Sequence, residues 1–402
     1  MQIGIVGKPS SGKSTFFSSA TLVDVAIASY PFTTIEPNKG IGFVRVEDAG
    51  KFFGVVSNPR HGFLVNENNN PIRYVPVELI DVAGLVPGAN EGKGLGNKFL
   101  NDLSQADALI HVVDASGGTN AEGKEVEEGT HDPREDVRFL EEEIELWFLK
   151  IIENNWIKIQ KSPEKDYKKK IGLISQALAG VKIMPYHVEK SVRILKLEDK
   201  MLFEWSNEDK REFAKKCREY SKPIIIAANK CDKQTSEENI KKMKEAFPKI
   251  NIIPCSAASE LSLRKAAKQN ILKYYPGWNS FEILADLNEK QKAGLETIKK
   301  NVLEKFNGTG VQECLDTAIF KLLEYFPVFP GGTKGLVDKN GNTLPDCFLL
   351  PKDSKAIDFA YTLHTDMGDG FIRAIDVKTK QIIGRDHPLK YGDVIEIIFN
   401  KH

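Results

Sequence analysis

The chain has 402 residues, room for two to four domains at roughly 100–200 residues each. Its 56 Lys and Arg balance 56 Asp and Glu, which argues against a chain-wide polyanion-binding surface, and no DNA partner is expected. With 41% hydrophobic residues, five scattered cysteines without a C-x-x-C pair and apolar runs far too short to span a bilayer, the chain reads as globular, and neither a disulfide framework, a zinc finger nor a membrane-spanning helix is expected.

The first element is a buried strand at residues 3–6, so no leader is expected and a reducing, cytoplasmic setting fits. Similar apolar runs bounded by turn residues recur at 77–80, 108–113, 224–228 and 250–254, with helical patterns between most of them. Strands alternating with helices predict an α/β fold with a doubly wound, mostly parallel sheet. The polar stretch 58–73, with Asn68-Asn69-Asn70-Pro71, reads as a loop or hairpin excursion.

Between Asp114 and Ile224 over a hundred residues lack strand character. Asp132 followed by Pro133 and Glu135 is a helix start, after which Val137, Leu140, Ile144, Trp147 and Ile151 form one apolar stripe. Ser206 opens another helix. A helical insertion is therefore expected over 120–221. Residues 121–145 hold eleven acids against three bases, and 158–170 six lysines against two acids, which reads as solvated faces or as a polarised docking surface.

After Ser256 a helical pattern runs to about Tyr325, where Phe326-Pro327-Val328-Phe329-Pro330-Gly331-Gly332 breaks it. Short strands are expected at 356–359, 372–377, 381–383 and 394–399, making a small C-terminal α+β module. The expected divisions are 1–119 and 222–326 for the main domain, 120–221 for the insertion and 327–402 for the module.

The chemistry begins at Gly7-Lys8-Pro9-Ser10-Ser11-Gly12-Lys13-Ser14, which fits G-x-x-x-x-G-K-[ST] between a strand and a helix. Such a loop wraps phosphates with backbone N–H groups at a helix N-terminus; Lys13 reaches the outer phosphates and Ser14 can ligate Mg2+. Thr15 is counted with the binding residues. Asp81-Val82-Ala83-Gly84 ends a strand and offers a carboxylate for the metal and an N–H for the γ-phosphate. Asn229-Lys230-Cys231-Asp232 ends another: a carboxylate there accepts two hydrogen bonds from the N1 and N2 edge of guanine, which adenine cannot supply. Ser256 and Ala257 follow the next strand, where N–H groups meet the guanine carbonyl. All four motifs fall at strand ends, where open α/β sheets bind ligands.

The segment Tyr30-Pro31-Phe32-Thr33-Thr34-Ile35-Glu36-Pro37-Asn38-Lys39-Gly40 resembles switch one of Obg-family GTPases. Residues 81–89 and 92–100 resemble switch two of the YchF branch, and 356–366 and 388–395 resemble a TGS domain. The resemblance covers nearly the whole chain. It implies a P-loop NTPase with a helical insertion and a C-terminal, ubiquitin-like TGS domain, binding GTP or GDP with Mg2+. The magnesium ligands it implies are Ser14, Thr34 (with Thr33 as the alternative in switch one) and, through water, Asp81; Lys13, Thr34 and Gly84 serve the γ-phosphate. It also implies ribosome or RNA association through the TGS domain and the insertion. Bacterial and eukaryotic YchF-type proteins replace the guanine motif and prefer ATP; here Asn229, Lys230 and Asp232 are intact, and GTP is expected. Cation-dependent relatives carry Asn at the fourth loop position, which here is Ser10. Leu85 stands where Ras-like GTPases place a water-orienting Gln, so a low intrinsic rate is expected.

Two function classes fit: a GTP-hydrolysing switch acting on the translation apparatus, and a kinase-like enzyme acting on a small substrate. The second needs an arginine-rich lid, which the sequence does not display. The module from 352 onward carries eight basic and eight acidic residues, so RNA contact is expected through one face, around Lys378, Lys380, Arg385 and Lys390. Cys231 and Cys255 flank the base motifs and read as packing residues, and His61, His111 and His364 as structural or surface groups.

Overall fold

In the computed structural model, residues 1–21, 38–82, 96–161 and 166–400 are described. The first half of the main sheet comprises β1 (Gln2–Val6), α1 (Lys13–Thr21), β2 (Lys39–Glu47), α2 (Gly50–Phe53), β3 (Phe63–Glu67), β4 (Asn70–Asp81), α3 (Gly96–Gln105) and β5 (Ala108–Asp114). Four helices follow: α4 (Pro133–Ile159), α5 (Tyr167–Leu178), α6 (Pro185–Ile194) and α7 (Asn207–Ser221). The sheet then resumes with β6 (Ile224–Asn229), α8 (Ser236–Ala246), β7 (Ile252–Pro254) and α9 (Ala257–Lys268).

The strand order is β2-β4-β1-β5-β6-β7, with β3 paired to β4. Pairing is parallel from β4 through β1, β5 and β6 to β7. The excursion read at 58–73 is the antiparallel β3–β4 hairpin. Because the central strands are covered on both faces, β5 and β6 are buried at every residue, which is why they read as unbroken apolar runs. These five strands run in one direction, so Val6, Asp81, Asp114, Asn229 and Pro254 all end at one edge of the sheet, with β5 continuing three residues beyond the Val6–His111 pair.

Both helix starts form as the sequence indicates. The Asp132 carboxylate accepts from Arg134 N (3.0 Å) with Pro133 in the first turn, and Ser206 Oγ accepts from Asp209 N (3.0 Å). Leu140, Ile144, Trp147 and Phe148 of α4 share one buried cluster with Phe99 and Leu103 of α3, Leu109 of β5 and Phe213 of α7. The insertion thus packs into the core that carries the sheet.

Two compact units are distinguished among the described residues. One holds 1–21, 38–40 and 78–314; the other holds 41–77 and 315–400. The expected helical run to Tyr325 is interrupted by a short antiparallel pair, β8 (Leu272–Lys273) and β9 (Glu282–Ile283). Beyond it come α10 (Glu289–Ile298), a π-helical stretch (Lys299–Leu303), α11 (Glu304–Phe306) and α12 (Val311–Asp316).

The C-terminal region contains β10 (Tyr325–Pro330), β11 (Phe348–Pro351), α13 (Ala356–Leu363), α14 (Thr365–Asp369), β12 (Phe371–Asp376), β13 (Gln381–Ile383) and β14 (Asp393–Phe399). Its sheet runs β11-β10-β14-β12-β13. Two sequence expectations need correction. Residues 356–359 are helical: Ala356, Ile357, Phe359 and Ala360 are buried at helical spacing, and Lys355 N donates to the Asp358 carboxylate (2.8 Å) at the helix start. A four-residue apolar run does not separate strand from helix by periodicity. Residues 326–330, read as a break, form an inner strand; Pro327 lacks an N–H but accepts from Gly392 N (2.8 Å) through its carbonyl.

The second unit holds an apolar cluster that includes Val328, Leu350, Phe359 and Ile395, and it also contains a buried ion pair. Arg73 Nε donates to the Asp48 carboxylate (2.7 Å), and both side chains are 1% exposed. Arg73 Nη2 donates to the Leu344 carbonyl (2.6 Å), and its guanidinium lies 5.2 Å from the centre of the Phe329 ring. Asp48 also accepts from Gly50 N and Ser57 Oγ. Asn58 N adds a bond to the Thr343 carbonyl (2.8 Å) and Arg60 N one to Pro345 (2.9 Å).

Candidate nucleotide-binding site

The loop between β1 and α1 turns because Ser10 (φ 62°) and Gly12 (φ 92°) take left-handed backbone. Gly12 is needed twice over, since a Cβ there would stand 2.1 Å from Asn229 Nδ2. At Gly7 a Cβ would lie 2.6 Å from the Val112 carbonyl oxygen and 2.8 Å from Ser11 Oγ. Phe16 N donates to Gly12 O (2.9 Å), so the helix begins within the motif. Pro9, Ser10 and Ser14 are exposed, whereas Ser11 is buried and its Oγ has no hydrogen-bond partner among the described residues.

Lys13 Nζ contacts the Asp81 carboxylate, so the lysine of the loop and the acid ending β4 share one place. Asn229 ties two motifs together: its Nδ2 donates to the Ser11 carbonyl (2.9 Å) and its Oδ1 accepts from Ala257 N (3.0 Å). Asp232 accepts from Ser256 Oγ (2.8 Å), and Ser256 N donates to the Thr309 carbonyl (2.9 Å). Lys230, in left-handed backbone (φ 62°), reaches Asp114 with Nζ 2.8 Å from Oδ2. The structure therefore brings together residues 7–15, Asp81, Asn229, Lys230, Asp232, Ser256 and Ala257. Thr34, Gly84 and Leu85 lie outside the described residues.

Sequence reasoning missed Asp114. Fully buried, it accepts from Ser116 N, Ser116 Oγ and Thr119 Oγ1 as well as from Lys230. Its position at the end of a parallel strand, like that of Asp81, was the available signal. Thr309, far along the chain, left none. Lys8 turns its amine to Thr119 and Asp136 and keeps only its backbone in the loop. His111 is buried, and burial together with the Lys8 charge lowers its pKa to about 3, which holds it neutral. Burial pushes the Cys231 and Cys255 thiols up, away from the reactive thiolate, as packing residues require.

A polar edge with a glycine cradle that admits no Cβ, a buried hydroxyl without a partner and a helix N-terminus suits phosphate oxygens. The oxygen donors Ser14 and Asp81 suit a hard divalent cation that shares its remaining positions with phosphate and water. Among the described residues no group of three or more His, Cys, Asp or Glu could hold a metal by itself.

Three family models match: a 50S ribosome-binding GTPase over residues 2–141, the G4 motif-containing domain of YGR210-like Obg-like GTPases over 227–331, and a TGS domain over 339–399. The chain is 45% identical over 399 residues, 98% of each chain, to the "Uncharacterized GTP-binding protein MJ1332" of Methanocaldococcus jannaschii. A crystal structure of a GTP-binding protein from Pyrococcus horikoshii OT3 superposes with a TM-score of 0.77 at 36% identity and 100% of both chains. The chain belongs to the YchF-like branch of the Obg-family GTPases. It is a P-loop GTPase with a C-terminal TGS domain, as the sequence resemblance implied. The ribosome-binding ATPase YchF of Bacillus subtilis is a more distant member, 26% identical over 99% of this chain and 98% of its own. No described helix is long and apolar enough to cross a membrane.

Proposed function

We propose that this YchF-like GTPase reads guanine, hydrolyses GTP to GDP and phosphate with Mg2+, and works as a nucleotide-dependent switch on ribosomes or RNA. The observation that carries the reading is the Asn229–Asp232 arrangement. Asn229 fastens the phosphate loop to the base loop, and Ser256 orients the Asp232 carboxylate. A carboxylate so held accepts the two N–H groups of the guanine edge, and ionised acceptors make the stronger hydrogen bonds. In hydrolysis the protein positions groups and neutralises charge. Lys13 and the loop amides would hold the β- and γ-phosphates; Ser14, Thr34 and Asp81 would hold Mg2+, which when bound neutralises phosphate charge. Leu85 offers no hydrogen bond to water, so the unassisted rate is low.

The test is calorimetric titration with GDP, ADP and xanthosine diphosphate. GDP binds far more tightly than ADP, and Asp232→Asn weakens GDP by about a hundredfold while improving the xanthine nucleotide. Equal binding of ADP and GDP would mean an ATP-type site, as the names of the distant relatives carry.

Ribosome association rests on the TGS domain and on the name of the Bacillus relative. Lys378 is turned to the Phe52 ring (5.2 Å), whereas Lys380, Arg385 and Lys390 are exposed. These three are the candidates for a nucleic-acid face. Reversing their charges should flatten the salt dependence of co-sedimentation with ribosomal particles by up to about three units of slope and leave GDP affinity unchanged. An unchanged slope would move the contact elsewhere.

A further inference from the structure

Lys8 is the second residue of the phosphate loop, yet its side chain serves another element. Its Nζ donates to the Thr119 carbonyl (2.7 Å) and lies 3.0 and 2.8 Å from the two carboxylate oxygens of Asp136. The two side chains are 5% and 7% exposed. Asp136 stands in the first turn of α4, the helix that opens the insertion, and its carboxylate also meets His131 Nε2 at 2.8 Å.

The segment 115–131 leading into α4 lies against the same loop. A Cβ on Gly123 would come within 2.7 Å of Pro9 Cβ and 2.8 Å of Pro9 O. The segment is also fastened to the base-reading loop. Thr235 Oγ1 donates to Ser116 O (2.8 Å), Lys233 pairs with Glu128 (3.1 Å), and Asp114 holds both Thr119 Oγ1 (2.9 Å) and Lys230. It thus bridges the two halves of the nucleotide site and continues directly into the insertion.

A buried ammonium needs its counter-charge, so loop residue 8 and the first turn of α4 cannot shift independently at low cost. We propose that Asp136, acting through Lys8, is a positioning residue for the phosphate loop, and that nucleotide occupancy is thereby coupled to the α4 end of the insertion. The proposal rests on the reading that residues 7–14 hold phosphates. Coupling is reciprocal. Phosphates that fix the loop firm up α4, and a macromolecule seated on the insertion that displaces α4 changes nucleotide affinity by the same factor.

An ion pair that only stabilises the fold would leave nucleotide affinity alone, and the experiment separates the two. Asp136→Asn removes the charge, and Lys8→Met with Asp136→Leu replaces the pair by apolar side chains that keep the interior packed. Each full-length variant is examined for unfolding temperature without nucleotide, for GDP affinity, and for amide exchange at 133–140 with and without GDP. In the parent, GDP slows exchange at 133–140. In a double variant that unfolds at the parent temperature, GDP binds about tenfold more weakly and that slowing is lost. Asp136→Asn shows a loss of similar size. A folded variant that binds GDP within about twofold of the parent and keeps the protection of 133–140 overturns the proposal. Lys13→Ala serves as the control for the underlying reading. If it binds GDP as the parent does, reading and proposal fall together; if it loses GDP while the double variant does not, only the coupling falls.

Discussion

Lys13→Ala should lower single-turnover GTP hydrolysis by about 10²–10³-fold, with a weakening of nucleotide binding, because on the proposed function it deletes the charge that would face the phosphate where charge develops. Lys13 is the first residue of α1, and its amine meets the Asp81 carboxylate at the end of β4. That contact puts the lysine, the expected metal-side acid and the loop within a few atoms of one another. Alanine leaves the loop glycines and the Asn229 clamp in place, so the base half of the site should survive and residual GDP binding should remain selective over ADP. Lys13→Arg should restore charge but little rate, since the planar fork of arginine does not present a compact point charge. Phosphate release at saturating nucleotide is the measurement. Activity within about tenfold of the parent would mean that another cation faces the γ-phosphate.

The second large effect is on stability. Arg73→Met should destabilise the unit formed by 41–77 and 315–400 by about 3–5 kcal/mol, because it leaves the Asp48 charge buried without its partner. The hydrogen bond to the Leu344 carbonyl and the ring contact with Phe329 go with it. The control is Lys51→Ala, which breaks the half-exposed pair with Glu47 and should cost less than about 1 kcal/mol. Denaturant or thermal unfolding of the two variants measures the difference. Equal, small losses would mean that Asp48 is sufficiently held by Gly50 N and Ser57 Oγ alone.

What could be read in the sequence was local. The loop from Gly7 to Ser14, the run from Asn229 to Asp232 and the Asp132 cap are each set by residues within a few positions of one another, and the structure places each at the end of the predicted element. Strands β5 and β6 were legible because burial on both faces leaves no polar interruption. The helix at 356–363 was not, because its short apolar run fits either period, and β10 was hidden by its two prolines. Long-range partners were the least legible. Lys8 meets Asp136 across 128 positions, and Asn229 meets Ser11 across 218. Nothing in the neighbourhood of Lys8 distinguishes a lysine aimed at phosphate from one turned inward.

The ion pair between Arg73 and Asp48 also has a consequence in time. The hairpin segment 41–77 leaves the ribosome early, while the carbonyl of Leu344 and the ring of Phe329 that complete its surroundings are made last. At about 5–20 residues per second, the roughly 240 residues between the two segments of this unit correspond to a wait of roughly 10–50 s. During that interval Asp48 and Arg73 lack the Leu344 carbonyl and the Phe329 ring, and the Phe43, Phe63 and Tyr74 rings lack the rest of their unit. Translation that pauses before residue 315 would lengthen the exposure, so synonymous changes that slow the middle of the message should lower the soluble yield of a protein whose amino-acid sequence is unaltered.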